Sequence, residues 1–155
     1  MKEGLPLNDI VLVADERSKK IHRGLFNFTE DAYRLGPGDF FTRIGGLDEP
    51  ARRVHIVLPW RDMVRLAIWT ENPSRGDVLV LSADAGMSAE ELLPFKGSDI
   101  GDLFPYLVYG KRFGVLRKIC RIASKSSERH MKNKDVRVHC HLVSEDADMI
   151  IASSL

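Results

Sequence analysis

The chain is short of cysteine, aromatic residues and long apolar runs, and each shortage removes a class of protein. Cys120 and Cys140 are its only cysteines. Two thiols cannot staple a disulfide scaffold or supply the paired CxxC ligands of a structural zinc site, and without a secretion signal they read as buried thiols in a reducing compartment. The first apolar run, Ile10 to Ala14, lies between charges and is too short for a signal h-region. No stretch approaches the roughly 18 to 20 apolar residues that cross a bilayer, and VLVLSADAG breaks at Asp84. The expected location is intracellular, cytoplasmic or nuclear, and not secreted, with any membrane contact peripheral. In that setting the sequon Asn27-Phe28-Thr29 carries no meaning.

Catalytic and cofactor signatures are missing as well. There is no GxSxG, and Gly110-Lys111-Arg112 lacks both the first glycine of a phosphate-binding loop and the Ser or Thr that follows its lysine. Gly36, Gly38, Gly45 and Gly46 are not spaced as GxGxxG and read as turns. Pairing Asp84 with His55 as a relay would require geometry that a sequence does not supply. No catalytic residue and no cofactor is therefore assigned. A small enzyme of unknown chemistry stands third among the functional readings.

What is present is ordinary globular composition: 155 residues, 44% hydrophobic and 29% charged. A chain of this size forms one core and buries roughly two-thirds of its unfolded surface. No internal repeat or low-complexity tract interrupts it. Residues 1–155 read as a single globular domain, β-rich over 1–84, helical over 88–132, with returning strands over 135–152.

Local patterns support that division. Ile10 to Ala14, the loop DERSKK and Ile21 to Phe28 read as a hairpin. Further short runs at Phe40 to Ile44, Val54 to Leu58, Leu66 to Trp69 and Val78 to Leu81 alternate with glycine and proline turns. The piece from Trp60 to Trp69 also fits a helical face and is read as a helical turn leading into a strand. Ser88 and Glu91 form a capping box that starts a short helix, Pro94 and Gly97 end it, and Ser98 or Asp99 caps another that buries Leu103, Leu107 and Val108. Gly110 separates that helix from a longer one beginning near Lys111. Asp135 to Val143 alternates regularly as a strand, and Met149 to Ala152 closes the chain. The pattern predicts an α+β fold: a mainly antiparallel sheet of about six to eight short strands, with two or three helices inserted before the last strands and packed on one side.

The net charge of +1 conceals a strong asymmetry. Lys111 to Lys134 holds nine basic residues and one acid, Glu128, while the chain on either side is acidic. Lys118, Arg121, Lys125, Arg129 and Lys132 recur at helical spacing along one stripe, with Lys111 and Arg117 at its margin. Phe113, Leu116, Cys120 and Ala123, with Ile119 beside them, make the opposite, apolar face. Such a cationic amphipathic helix suits nucleic-acid phosphate, RNA or DNA, which a protein contacts with salt-sensitive affinity and little sequence preference. A self-associating, matrix-type scaffold using the same stripe on an anionic membrane is the second reading. A solvated face balanced by acidic surroundings is the plainest alternative. Exposed strand edges also predict a homo-oligomer.

The sequence holds two further clusters. In VRVHCHLV, period-two alternation puts Arg137, His139 and His141 on one strand face and Cys140 on the other. These three could extend the basic surface, more strongly below about pH 6.5 where histidine charges. No metal site is assigned, because no further ligand stands at ligand spacing. Trp60, Trp69, Phe40 and Phe41, flanked by Arg52, Arg53, Arg61 and Arg65, could make a stacking platform, and core packing is the simpler fate.

Overall fold

A computed structural model describes residues 7–35, 40–97, 99–144 and 148–154. Among these residues the chain runs β1 (Leu7–Val13), α1 (Glu16–Phe26), β2 (Tyr33–Leu35), α2 (Phe40–Gly45), β3 (Ala51–Leu58), α3 (Trp60–Ile68), α4 (Arg75–Asp84), α5 (Ala89–Leu92), α6 (Leu103–Tyr109), α7 (Phe113–His130), β4 (Arg137–Val143) and β5 (Ile150–Ser153). The strands form one sheet in the order β2-β1-β3-β4-β5. β1 is parallel to both β2 and β3, β3 is parallel to β4, and β5 alone runs antiparallel, against β4.

The fold is α+β, but not the one expected. The sheet is mixed and mostly parallel with five strands, and the described residues include seven α-helices rather than two or three. The predicted antiparallel arrangement fails at the first connection. Parallel neighbours cannot be joined by a hairpin and need a crossover, usually a helix. The segment read as a loop and second strand is α1, started by Asp15, whose carboxylate accepts from the Ser18 N–H at 2.8 Å. It ends where Asn27 turns left-handed, at φ 54°. The runs at Phe40 to Ile44, Leu66 to Trp69 and Val78 to Leu81 lie in α2, at the end of α3 and in α4. In α4 the Ser74 hydroxyl accepts from the Asp77 N–H while the Asp77 carboxylate accepts from the Ser74 N–H, so ENPSRGD begins a helix rather than making a turn.

Other expectations hold. Ser88 and Glu91 make the capping box of α5, Leu103 and Leu107 are buried in α6, and Val54 to Leu58 lies within β3. Asp99 caps the short 3-10 turn ahead of α6, while Ser98 lies outside the described residues.

The sheet is covered on both sides, which corrects the one-sided packing expected. Ile10, Leu12, Val54, Ile56, Cys140 and Leu142 point into the larger core, beneath α3 and α7. The alternate positions Val11, Val13, Val57 and Val143 form a second cluster on the opposite face, where α1 packs on β1 and β3. Burial on both faces explains why β3 reads as a near-continuous apolar run. Trp60 is a core residue whose indole N–H donates to the Ile100 carbonyl at 2.9 Å, and Phe40, Phe41 and Trp69 pack at the core margin. No described helix is long and apolar enough to cross a membrane.

Candidate functional site

α7 is anchored along one whole side. Leu116, Ile119, Cys120 and Ala123 are fully buried against the sheet and α3. Polar anchors fix its roll: the Ser124 hydroxyl accepts from the Cys140 N–H at 3.2 Å, and the Glu128 carboxylate accepts from the Val138 N–H at 2.9 Å. At its C-terminal end the His130 ring stacks on Trp69, with centroids 3.9 Å apart and planes 9° from parallel. With that side committed, the helix presents its other side to solvent.

That outer side carries Arg117, Lys118, Arg121, Lys125 and Arg129, all exposed. Successive residues turn 100° at 3.6 per turn, so these five fall within about 120° of arc and span about 18 Å along the axis. Arg117, Lys118, Arg121 and Arg129 form no ion pair among the described residues. Lys125 is 3.5 Å from Glu128. Cations toward a helix C-terminus are also favoured by the backbone dipole, so Arg129 stabilises the element it decorates.

Lys132 of the predicted stripe, and Lys111 at its margin, fall outside the helix. Lys111 sits in the preceding turn at φ 58°, and α7 begins only at Phe113. Lys132 follows the last helical residue and pairs with Asp48 at 3.2 Å. Phe113, which helical spacing gives to the apolar face, is not buried at the N-terminal end of α7. Phe113, 39% exposed, lies one turn ahead of Arg117, and Tyr109, 77% exposed, precedes it at the end of α6.

Arg137, His139 and His141 do share a strand face, but it is the face turned away from α7. Alternation in β4 gives Val138, Cys140 and Leu142 to the α7 side. Arg137 is exposed, His139 half-buried, and His141 buried under α1. They therefore do not extend the α7 stripe.

Instead His141 belongs to a cluster. His22 from α1, His55 from β3 and His141 from β4 are 0%, 5% and 0% exposed, and each can offer a ring nitrogen such that the three atoms lie within 4.8 Å of one another. His55 Nδ1 is 2.9 Å from His141 Nε2. The outer nitrogen of each ring has its own partner: the Tyr33 hydroxyl at 2.8 Å from His22 Nδ1, Asp9 Oδ1 at 3.3 Å from His55 Nε2, and the Ser153 hydroxyl at 2.7 Å from His141 Nδ1. His22 Nε2 is buried with no hydrogen-bond partner among the described residues. The rings of Phe26 and Phe28 pack around the group, at 4.5 Å from His22 and 5.2 Å from His55 respectively.

Burial holds these histidines neutral. It lowers the His22 pKa from 6.5 to about 4, with His55 adding to the shift. His55 is likewise lowered to about 4, mainly by burial and against the pull of Asp9. His141, buried beside His55, His22 and His139, is driven down further still. Sequence reasoning missed His22 because α1 was read as loop and strand, and missed His55 because strand pairing over such separations is not written in local pattern. The available signal was parity: His55 with Val57 and His139 with His141 occupy matching alternate positions of two strands.

Comparison with known proteins finds no matching family, no matching curated protein and no matching solved structure.

Proposed function

We propose that this chain binds the phosphate backbone of nucleic acid through the outer face of α7, without catalysis. The observation that carries the reading is the row Arg117, Lys118, Arg121 and Arg129: four exposed cations on one anchored helix, unpaired among the described residues. Cations already neutralised by carboxylates gain little from a phosphate, whereas free ones release the counterions that a polyanion has condensed. The anchored side keeps the row in register, so little ordering is required on binding.

Phe113, exposed on α7 one turn ahead of Arg117, favours nucleic acid over lipid. Exposed rings next to a cationic track offer stacking surfaces for bases. Insertion into a bilayer would call for a broad edge of large apolar side chains beside the basic residues. The α7 apolar face is used up by the core.

The test is binding of the full chain to generic single-stranded and duplex oligonucleotides, and to anionic vesicles, over a range of salt. Four phosphate contacts predict a fall in affinity of about 50- to 150-fold between 50 and 200 mM salt. Changing Arg117, Arg121 and Arg129 together to Glu removes the binding while circular dichroism stays unchanged. Binding to anionic vesicles but not to oligonucleotides would overturn the reading in favour of the membrane.

A further inference from the structure

The histidine cluster lies on the opposite face of the sheet and plays no part in contacts made by α7. A purely structural core would not build it this way. Apolar side chains would fill the same space without leaving a ring nitrogen buried and unpartnered, as His22 Nε2 is. Nor would packing alone require that each ring be fixed through its outer nitrogen by a different oxygen, from Tyr33, Asp9 and Ser153.

Those outer contacts set the direction of the inner nitrogens. With Asp9 accepting from His55 Nε2–H, Nδ1 of the same neutral ring carries a lone pair and faces the cluster. Tyr33 and Ser153 can accept from the Nδ1–H of His22 and His141, which leaves Nε2 of each ring as a lone-pair donor facing inward. Metal-ligating histidines are oriented in this manner by a carboxylate, carbonyl or hydroxyl behind the ring.

We infer that His22, His55 and His141 form a binding site for a divalent first-row transition-metal ion, zinc foremost, held by His22 Nε2, His55 Nδ1 and His141 Nε2. A tetrahedral zinc with Zn–N of about 2.0–2.1 Å sets its nitrogens about 3.3 Å apart. The His55 and His141 nitrogens, at 2.9 Å, part slightly to admit the ion, and His22 closes from within the 4.8 Å limit. Imidazole donors suit zinc, copper or nickel and do not suit calcium or magnesium. Cys140 and Cys120 point into the other core and take no part. A metal requires all three rings neutral with a lone pair facing inward, and for His141 that means moving the proton shared with His55 from Nε2 to Nδ1. The ligands come from α1, β3 and β4, and the ion ties the helix to the sheet. Three protein ligands leave a tetrahedral ion one position for water or another donor.

The experiment is titration of chelator-stripped full chain with Co²⁺ and Zn²⁺, read by visible absorption of the cobalt protein, by elemental analysis after dialysis, and by thermal denaturation. Expected are one ion per chain, cobalt bands of a four-coordinate site with three nitrogen ligands that disappear when zinc displaces the cobalt, and a raised Tm. H22Q and H141Q each abolish the cobalt spectrum. D9N weakens affinity by about 10- to 100-fold through the orientation of His55. H130A and H139A leave binding unchanged. H22F, which keeps a ring in the packed position, guards against loss of fold: it should stay folded and bind no metal. The inference is overturned if the stripped wild-type chain takes up no cobalt or zinc, or if H22Q, H22F and H141Q bind as the wild type does.

Discussion

His55 Nδ1 and His141 Nε2 meet at 2.9 Å on adjacent parallel strands, with ring planes 5° from parallel. Two ring nitrogens this close share a single proton, so one of the two facing nitrogens donates and the other accepts through its lone pair. Tyr33, Asp9, Arg53, His139 and Ser153 surround the group, and Asp9 already serves Arg53 at 2.8 Å.

A pH dependence follows for metal-free protein. His22 and His55 titrate near 4 when folded and near 6.5 when unfolded. Below 6.5 the unfolded chain takes up protons that the folded chain refuses, so stability is level above about pH 6.5 and falls progressively toward pH 4. Urea midpoints measured across that window after chelation check the sign. Midpoints that stay level would contradict neutral burial of the cluster.

The Asp15 cap holds α1, and with it His22. Replacing Asp15 by Ala leaves the Ser18 N–H without its partner and costs about 0.5–2 kcal/mol. Denaturant unfolding reads that loss. Amide exchange should place the added opening in α1 rather than in α7.

Leu116 is fully buried where α7 meets the core. Leu116→Ala leaves a cavity and costs about 2–5 kcal/mol, and Ile56→Val, also fully buried, costs about 0.5–1.5 kcal/mol. Chemical unfolding should return that order. Exposed Arg121→Ala should change stability little, since it makes no ion pair among the described residues.

Both cysteines are free and buried. Burial raises the Cys140 thiol to about 12 and shifts Cys120 upward in the same direction. The thiolate is the reactive form, so neither should react with iodoacetamide in the native protein at neutral pH, and both should react in denaturant. Mass spectrometry of labelled peptides makes the comparison.

Some of this structure is legible locally. The two sides of α7 follow from helical spacing, and the structure buries Leu116, Cys120 and Ala123 while exposing Arg117, Lys118, Arg121, Lys125 and Arg129, although Phe113, also expected on the apolar side, is 39% exposed. The Ser88–Glu91 box and the alternation of β4 are equally local. Short runs such as Phe40 to Ile44 and Val78 to Leu81 fit a strand and a turn of helix alike, and at Val78 to Leu81 the Ser74 cap decides. The Ser74–Asp77 box was readable but lay within a glycine and proline segment that suggested a turn. The parallel order of strands depends on contacts between residues far apart in the chain, such as His55 with His139, so neither the sheet nor the histidine cluster could be assembled from local pattern.

The most direct test of the central claim is the salt dependence of oligonucleotide binding by wild type and by Arg121→Ala. If α7 meets phosphate through its four free cations, log affinity falls against log salt with a slope of about −3 to −4, and Arg121→Ala reduces that slope by about one for every sequence tried. A slope near zero, or one that Arg121→Ala leaves unchanged, would contradict it.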